Sequence, residues 1–216
     1  MLDGARRVTG LVALVIMLSA MSGCGPHAAE DRNAHLFELH HRLAEEGSLK
    51  SATVVGSLYL QGIGVPADFD KAVYWYERGG PAGGWEMLGT AFQYRDPPDY
   101  PRAAHYYRKA AELCSPIALY ELGVLESDGR LGSPNDVDAY TWIGLARWAA
   151  GRAPGCRQHV SCRDLALEDR PGRAPALQRR LTAAQLADVE TRMEQWKRRH
   201  RWPRGDIRCT PSAPES

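Results

Sequence analysis

From residue 51 to residue 146 apolar and small side chains recur with the period of an α-helix, broken by short polar or glycine-bearing stretches. Ala52, Gly56 and Tyr59 stand at i, i+4 and i+7, so they share one helix face. That face returns at Leu88-Gly89 and Leu122-Gly123, whose glycines follow Gly56 at spacings of 33 and then 34 residues. Tyr59 and Phe92 lie three residues beyond their glycines; the third copy has Glu126 there instead. A second helix follows in each copy, marked by Ala72, Ala103 and Ala139. Four residues earlier stand Asp68, Asp99 and Asn135, whose side-chain oxygens suit the free amides of a first helical turn. Trp75-Tyr76, Tyr106-Tyr107 and Trp142-Ile143 then complete a buried stripe. A glycine inside a helix costs about 1 kcal/mol relative to alanine, so three in one phase predict a neighbour packed too closely for a Cβ. The pattern predicts an all-α fold, a short α-solenoid of about three helix pairs that bury their apolar faces by stacking.

The first copy reads Val55-Gly56, Tyr59, Gly62-Ile63-Gly64-Val65, Asp68, Ala72 and Trp75-Tyr76. These residues resemble the Sel1-like repeat (SLR) family, a relative of the tetratricopeptide repeat. The second copy has Arg95-Asp96-Pro97-Pro98 in place of the glycine turn and is two residues shorter there. The third keeps Gly129 and Gly132 and ends in Ala139-Tyr-Thr-Trp142-Ile-Gly-Leu-Ala146, similar to the family's closing copy. The repeats are expected over residues 49–151, as 49–83, 84–114 and 115–151. An N-terminal capping helix is expected at 35–48, and the resemblance implies a C-terminal one at 181–202.

Ahead of the repeats, Arg6-Arg7, the apolar run Gly10–Ala20 and the small residues Ser22-Gly23 follow the order of a secretory signal, expected over residues 1–23. The run is shorter than the roughly 20 apolar residues of a membrane span. Met21-Ser22-Gly23-Cys24 resembles a bacterial lipobox, which implies acylation of Cys24 and a lipidated tether over 24–34. Gly25 after the cysteine implies the outer membrane, facing the periplasm. His35, His40 and His41 are not four apart in any pairing, so they read as a solvated helix face rather than a metal site.

Charge is close to balanced, with 27 basic and 26 acidic residues, and no surplus argues for nucleic acid. From Gly151 the chain turns rich in Arg, Gly and Pro, an insertion expected over 152–180. Within it, Ser161 with Asp164 suggests a helix start. Beyond the inner membrane Cys156 and Cys162 are expected to form a disulfide. Cys114 and Cys209 make the second pair, which would staple the tail (203–216) to the end of the second repeat; pairing of Cys114 with Cys156 or Cys162 stays open. Thr182-x-x-Gln185 is a capping box ahead of Leu186, Val189, Met193 and Trp196. Lys197–Arg204 forms a basic run that suits a helix C-terminus or an anionic partner.

Common motifs of serine hydrolases, zinc peptidases and phosphate-binding loops do not occur in the sequence. Some cysteine-rich relatives bind or hydrolyse β-lactams, but they carry a cysteine pair within each repeat and this chain does not. The sequence therefore reads as a non-enzymatic, monomeric adaptor, lipid-anchored in the cell envelope and needing no cofactor or metal, that binds an unidentified envelope protein. Trp85, which occupies the position of Ala52 and Leu119, is one candidate contact. Arg198, Arg199 and Arg201 are the others, and they carry the alternative reading, binding of anionic glycan or lipopolysaccharide. A cell-wall or β-lactam hydrolase is the least favoured class.

Overall fold

The computed structural model describes residues 26–152, 172–201, 210 and 211. Nine helices occur among them: α1 Pro26–Glu45, α2 Leu49–Gln61, α3 Phe69–Gly79, α4 Gly84–Tyr94, α5 Tyr100–Ala111, α6 Pro116–Ser127, α7 Asp136–Ala150, α8 Arg173–Arg180 and α9 Ala183–Arg199. A two-residue strand β1, His200–Arg201, pairs antiparallel with β2, Thr210–Pro211. The fold is all-α, of the α-solenoid class, with the repeats carried by α2/α3, α4/α5 and α6/α7. The chain divides into two compact units, one ending at Trp75 and the other starting at Tyr76. The signal, Cys24, Ser161, Asp164 and the cysteines at 156, 162 and 209 lie outside the described residues.

In the first unit, α1 is longer than the sequence suggested, because the stretch expected as a tether is already helical. Residues 26–34 lack an apolar stripe, but Pro26 suits a first helical position and Ala28, Ala29, Glu30 and Arg32 are good helix formers. Phe37 meets the Tyr59 ring edge-on at 5.2 Å, and His41 meets Trp75 at 5.0 Å. The histidine expectation therefore needs correction: His35 is exposed, but His40 and His41 are half-buried. The turn after α2 needs its glycines. Gly62 has φ 67° and Gly64 φ 71°, and a Cβ on Gly64 would run into the Asn33 carbonyl of α1.

In the second unit the glycine phase is explained by contact within each helix pair. A Cβ on Gly89 would enter the ring of Tyr107, which is fully buried in α5. A Cβ on Gly123 would lie 2.6 Å from Ile143 Cγ1 and 2.9 Å from the Ala139 carbonyl oxygen. Leu88, Leu119, Leu122 and Ile143 are buried around these crossings, each such side chain stabilising by about 1.5–3 kcal/mol.

The expected caps are in place. Asp68 Oδ1 accepts from Lys71 N at 2.9 Å, Asp99 Oδ1 from Arg102 N at 3.1 Å, and Asn135 Oδ1 from Asp138 N at 3.1 Å. Ser115 caps α6 in the same way, its hydroxyl accepting from Ala118 N at 3.2 Å. Thr182 and Gln185 form the capping box of α9.

Two elements depart from the sequence reading. Helix α8 lies inside the stretch expected as a Gly/Pro/Arg-rich insertion. Its Pro175 falls in the first turn, where no intrahelical N–H is required. Helix α9 stops at Arg199 rather than 202, and the chain leaves it as the β1 strand. There His200, 3% exposed, stacks on Trp196 at 3.8 Å. Its Nδ1 lies 2.8 Å from Trp196 O and its Nε2 2.7 Å from Glu112 Oε2.

Candidate interaction sites

Two surfaces of the second unit gather side chains that helix packing does not consume. The first is a cleft of about 250 Å³ between the start of α4 and the α5–α6 junction, with Pro81, Trp85, Leu113 and Pro116 on its walls. Trp85 sits one turn before the Leu88-Gly89 crossing and is half-buried. Its indole passes 3.6 Å from where a Cβ on Gly80 would stand, an ordinary contact distance; it is the φ of 40° that favours glycine there. Lys109 of α5 places its ammonium 5.2 Å from the indole centroid and 5.6 Å from that of Tyr106. On the far wall Ser115 Oγ donates to Glu86 Oε2 at 2.5 Å. Tyr106 donates its own hydroxyl to Glu77 at 2.6 Å, and burial together with that carboxylate pushes the phenol up to about 12. The Trp85 ring is thus half-buried on the wall of the cleft, with a cation near its centroid.

The second surface is a groove of about 280 Å³ between α5, α7 and α9, where Arg108, Glu126, Asp138, Trp142, Arg192 and Arg199 converge. Glu126 comes from the end of α6, at the position that carries an aromatic ring in the first two copies. Desolvation, with Asp138 beside it, raises the Glu126 carboxyl, and Arg108 offsets part of that. Arg192 Nη1 donates to Asp138 Oδ1 at 2.7 Å, and its Nη2 lies 2.8 Å from Asp188.

The predicted site residues are separated by this arrangement. Trp85 lines the first cleft and Arg199 the second. Arg198 is exposed, with Nε donating to the Glu194 carbonyl at 3.3 Å. Arg201 pairs through its backbone with Thr210. Lys197 bonds Glu194 at 2.8 Å, so the basic run is not one uniform patch. Cys114 is buried, with φ 55°. Sequence reasoning missed Lys109 and Arg108, which look like ordinary exposed helix positions; Glu126 did signal itself by breaking the aromatic phase.

The family model of the Sel1 repeat matches residues 50–80, 86–113 and 116–146. A Sel1 repeat protein from Oxalobacter formigenes is similar at 21% identity and TM-score 0.47, over 66% of this chain and 61% of that one. So is c5321, a protective antigen of uropathogenic Escherichia coli strains displaying an SLR fold, at 21% identity and TM-score 0.47, over 74% of this chain and 40% of that one. The chain thus spans less than two thirds of either structure's length. No curated protein matches. Sel1 repeats in general mediate protein–protein interaction.

Proposed function

We propose that this chain is a non-enzymatic protein-binding adaptor of the cell envelope, tethered through a lipidated Cys24 to the outer membrane and facing the periplasm. The observation that carries the binding role is the Trp85 cleft. It offers a large, half-buried ring at the junction of repeats two and three, one turn before the α4/α5 crossing rather than in it. Aromatic rings held in this way are efficient anchors in protein interfaces. The lipidation and the address rest on the signal-like N-terminus and the lipobox resemblance.

Cross-linking in intact cells, followed by mass spectrometry, tests this reading against Cys24→Ala and Trp85→Ala forms. The expected result is one dominant protein partner, lost with either change. If no protein is captured and glycan or lipopolysaccharide copurifies instead, the exposed Arg198 becomes the centre of the second reading. Salt-sensitive binding abolished by Arg198→Ala would then establish it.

The proposed structure includes a Cys114–Cys209 disulfide. Supporting it, β2 begins one residue after position 209 and pairs with β1, whose His200 bonds Glu112, two residues before Cys114. Mass analysis of the unreduced protein should find neither thiol free; two free thiols would exclude the staple.

A further inference from the structure

The end of α9 reaches the junction between α5 and α6 through His200, whose ring is buried and lies 12° from parallel to that of Trp196. Its Nδ1 stands 2.8 Å from the Trp196 carbonyl oxygen, which also accepts the His200 backbone N–H. Its Nε2 stands 2.7 Å from Glu112 Oε2. A peptide carbonyl and an ionised carboxyl only accept hydrogen bonds, whereas a neutral imidazole carries one N–H. The neutral ring therefore serves one of the two contacts and turns a lone pair on the other. Both are made together only when the His200–Glu112 pair holds one proton more than a neutral histidine and an ionised glutamate carry.

Several neighbours suit a positive charge at this place. His200 is the C-cap of α9, where unpaired carbonyls favour a cation, and the Trp196 ring offers it a negative face. Burial and nearby cations oppose the charge, but those cations are engaged elsewhere. Lys197 bonds Glu194 at 2.8 Å, and Arg198 donates to the Glu194 carbonyl. Lys109 lies over the Trp85 ring, and Arg152 over the Trp148 ring at 4.7 Å. Arg108 is set against Glu126, in the groove that Arg199 also lines. Thr210 and Pro211 of β2 bring no charge. Glu112, by contrast, pairs with His200 alone among the described residues.

We propose that the His200–Glu112 contact is a proton-dependent clasp that fixes the α5–α6 wall of the Trp85 cleft. Directly after Glu112 come Leu113, Cys114, Ser115 and Pro116, all of which line that cleft. The junction is tight, with Leu113 N donating to Ala110 O at 3.1 Å and Cys114 N to Ala111 O at 2.7 Å. Loss of the shared proton sets two acceptors against each other beside a buried ring, and the junction is released from α9. The closed state holds the extra proton, so it is favoured as pH falls and lost as pH rises through the range in which histidine titrates. Control of partner binding by this clasp rests on the Trp85 reading; the clasp itself does not.

The test uses the purified, unreduced chain without a partner, so its failure and that of the cellular capture experiment are distinguishable. Amide hydrogen exchange at Leu113, Cys114 and His200, corrected for the intrinsic effect of pH, is compared at about pH 5.5 and about pH 8. All three amides are expected to lose about tenfold in protection at the higher pH. Glu112→Gln, an exposed and conservative change, should keep them protected at both pH values, because its amide donates to Nε2 of the neutral ring while Nδ1–H still donates to Trp196 O. His200→Gln should leave Leu113 and Cys114 at the lower protection throughout, with the Leu88 amide of the core unchanged; if that core amide also loses protection, Glu112→Gln decides. Protection that does not respond to pH in the unaltered chain overturns the proposal. So does a loss at high pH that survives in Glu112→Gln, or low protection of that variant at both pH values.

Discussion

Repeats two and three use the same crossing with different consequences at its end. In α4/α5 the glycine admits a tyrosine ring, and one turn later Phe92 stacks parallel to Tyr106 at 5.7 Å, so the pair is closed by two aromatic rings. In α6/α7 the glycine admits Ile143, and the position of Phe92 is held by Glu126, which looks onto Arg108 and Asp138. One pair is finished by packing. The other is left polar at its rim, and that is where α9 brings Arg192 and Arg199. A repeat keeps its crossing for stability and varies the residue one turn away to create a surface.

The largest effect that tests this comparison comes from the crossings themselves. Gly89→Ala should destabilise by about 3 kcal/mol, because the colliding group is a rigid, fully buried ring. Gly123→Ala should cost less, about 2 kcal/mol, since the Ile143 side chain can turn aside and the Ala139 carbonyl bears the remaining strain. Urea midpoints of the two variants measure the difference, and the reverse order would refute equivalence of the crossings. Next come the caps: Asp99→Ala and Asn135→Ala should each lose about 1 kcal/mol, with Ser115→Ala similar. Unequal losses would show that one pair depends on its cap more than the other does.

Smallest is the effect of pH on the polar rim. Glu126 and the half-buried Glu121, which accepts from Gln93 Nε2 at 3.0 Å, are both raised by desolvation above the ordinary carboxylate value. A raised carboxyl binds its proton more readily in the folded chain than in the unfolded one. Ionising it therefore weakens the fold, and these two groups contribute more stability as pH falls from neutrality toward the ordinary value of 4.5. Glu126→Gln and Glu121→Gln should each flatten that part of a thermal stability profile. A Phe92→Leu control in repeat two should leave its slope unchanged. A steeper slope in either glutamine variant would reverse the assignment.

Much of this architecture was legible because it is written in local chemistry. The glycines at 89 and 123, the cap types at 68, 99 and 135, and the Thr182–Gln185 box each hold in the structure, and the caps and the box act within a few residues. The first half of α1 was not legible, because helix propensity without an apolar stripe gives no periodic signal. Helix α8 was hidden by Pro175, which reads as a breaker unless its place in the first turn is known. The surfaces were harder still. Trp85 stood out for its size at a position held by Ala52 and Leu119 in the other copies, but Lys109 and Arg108 acquire meaning only when separate helices meet. Ion pairs such as Arg173 with Asp128 at 2.5 Å join residues that no spacing rule connects.

The contact of His200 with Glu112 joins positions 88 residues apart and skips the whole third repeat. Repeat arrays ordinarily acquire structure in sequence order, because each unit leans only on its neighbours. Here the end of the second repeat waits for His200 at the end of α9, so on a chain synthesised from its N-terminus that part of the array is completed only after the third repeat and α9 have emerged. Shortening the protein by one repeat would therefore not yield a smaller version of the same object; it would remove the span that allows Glu112 and His200 to meet.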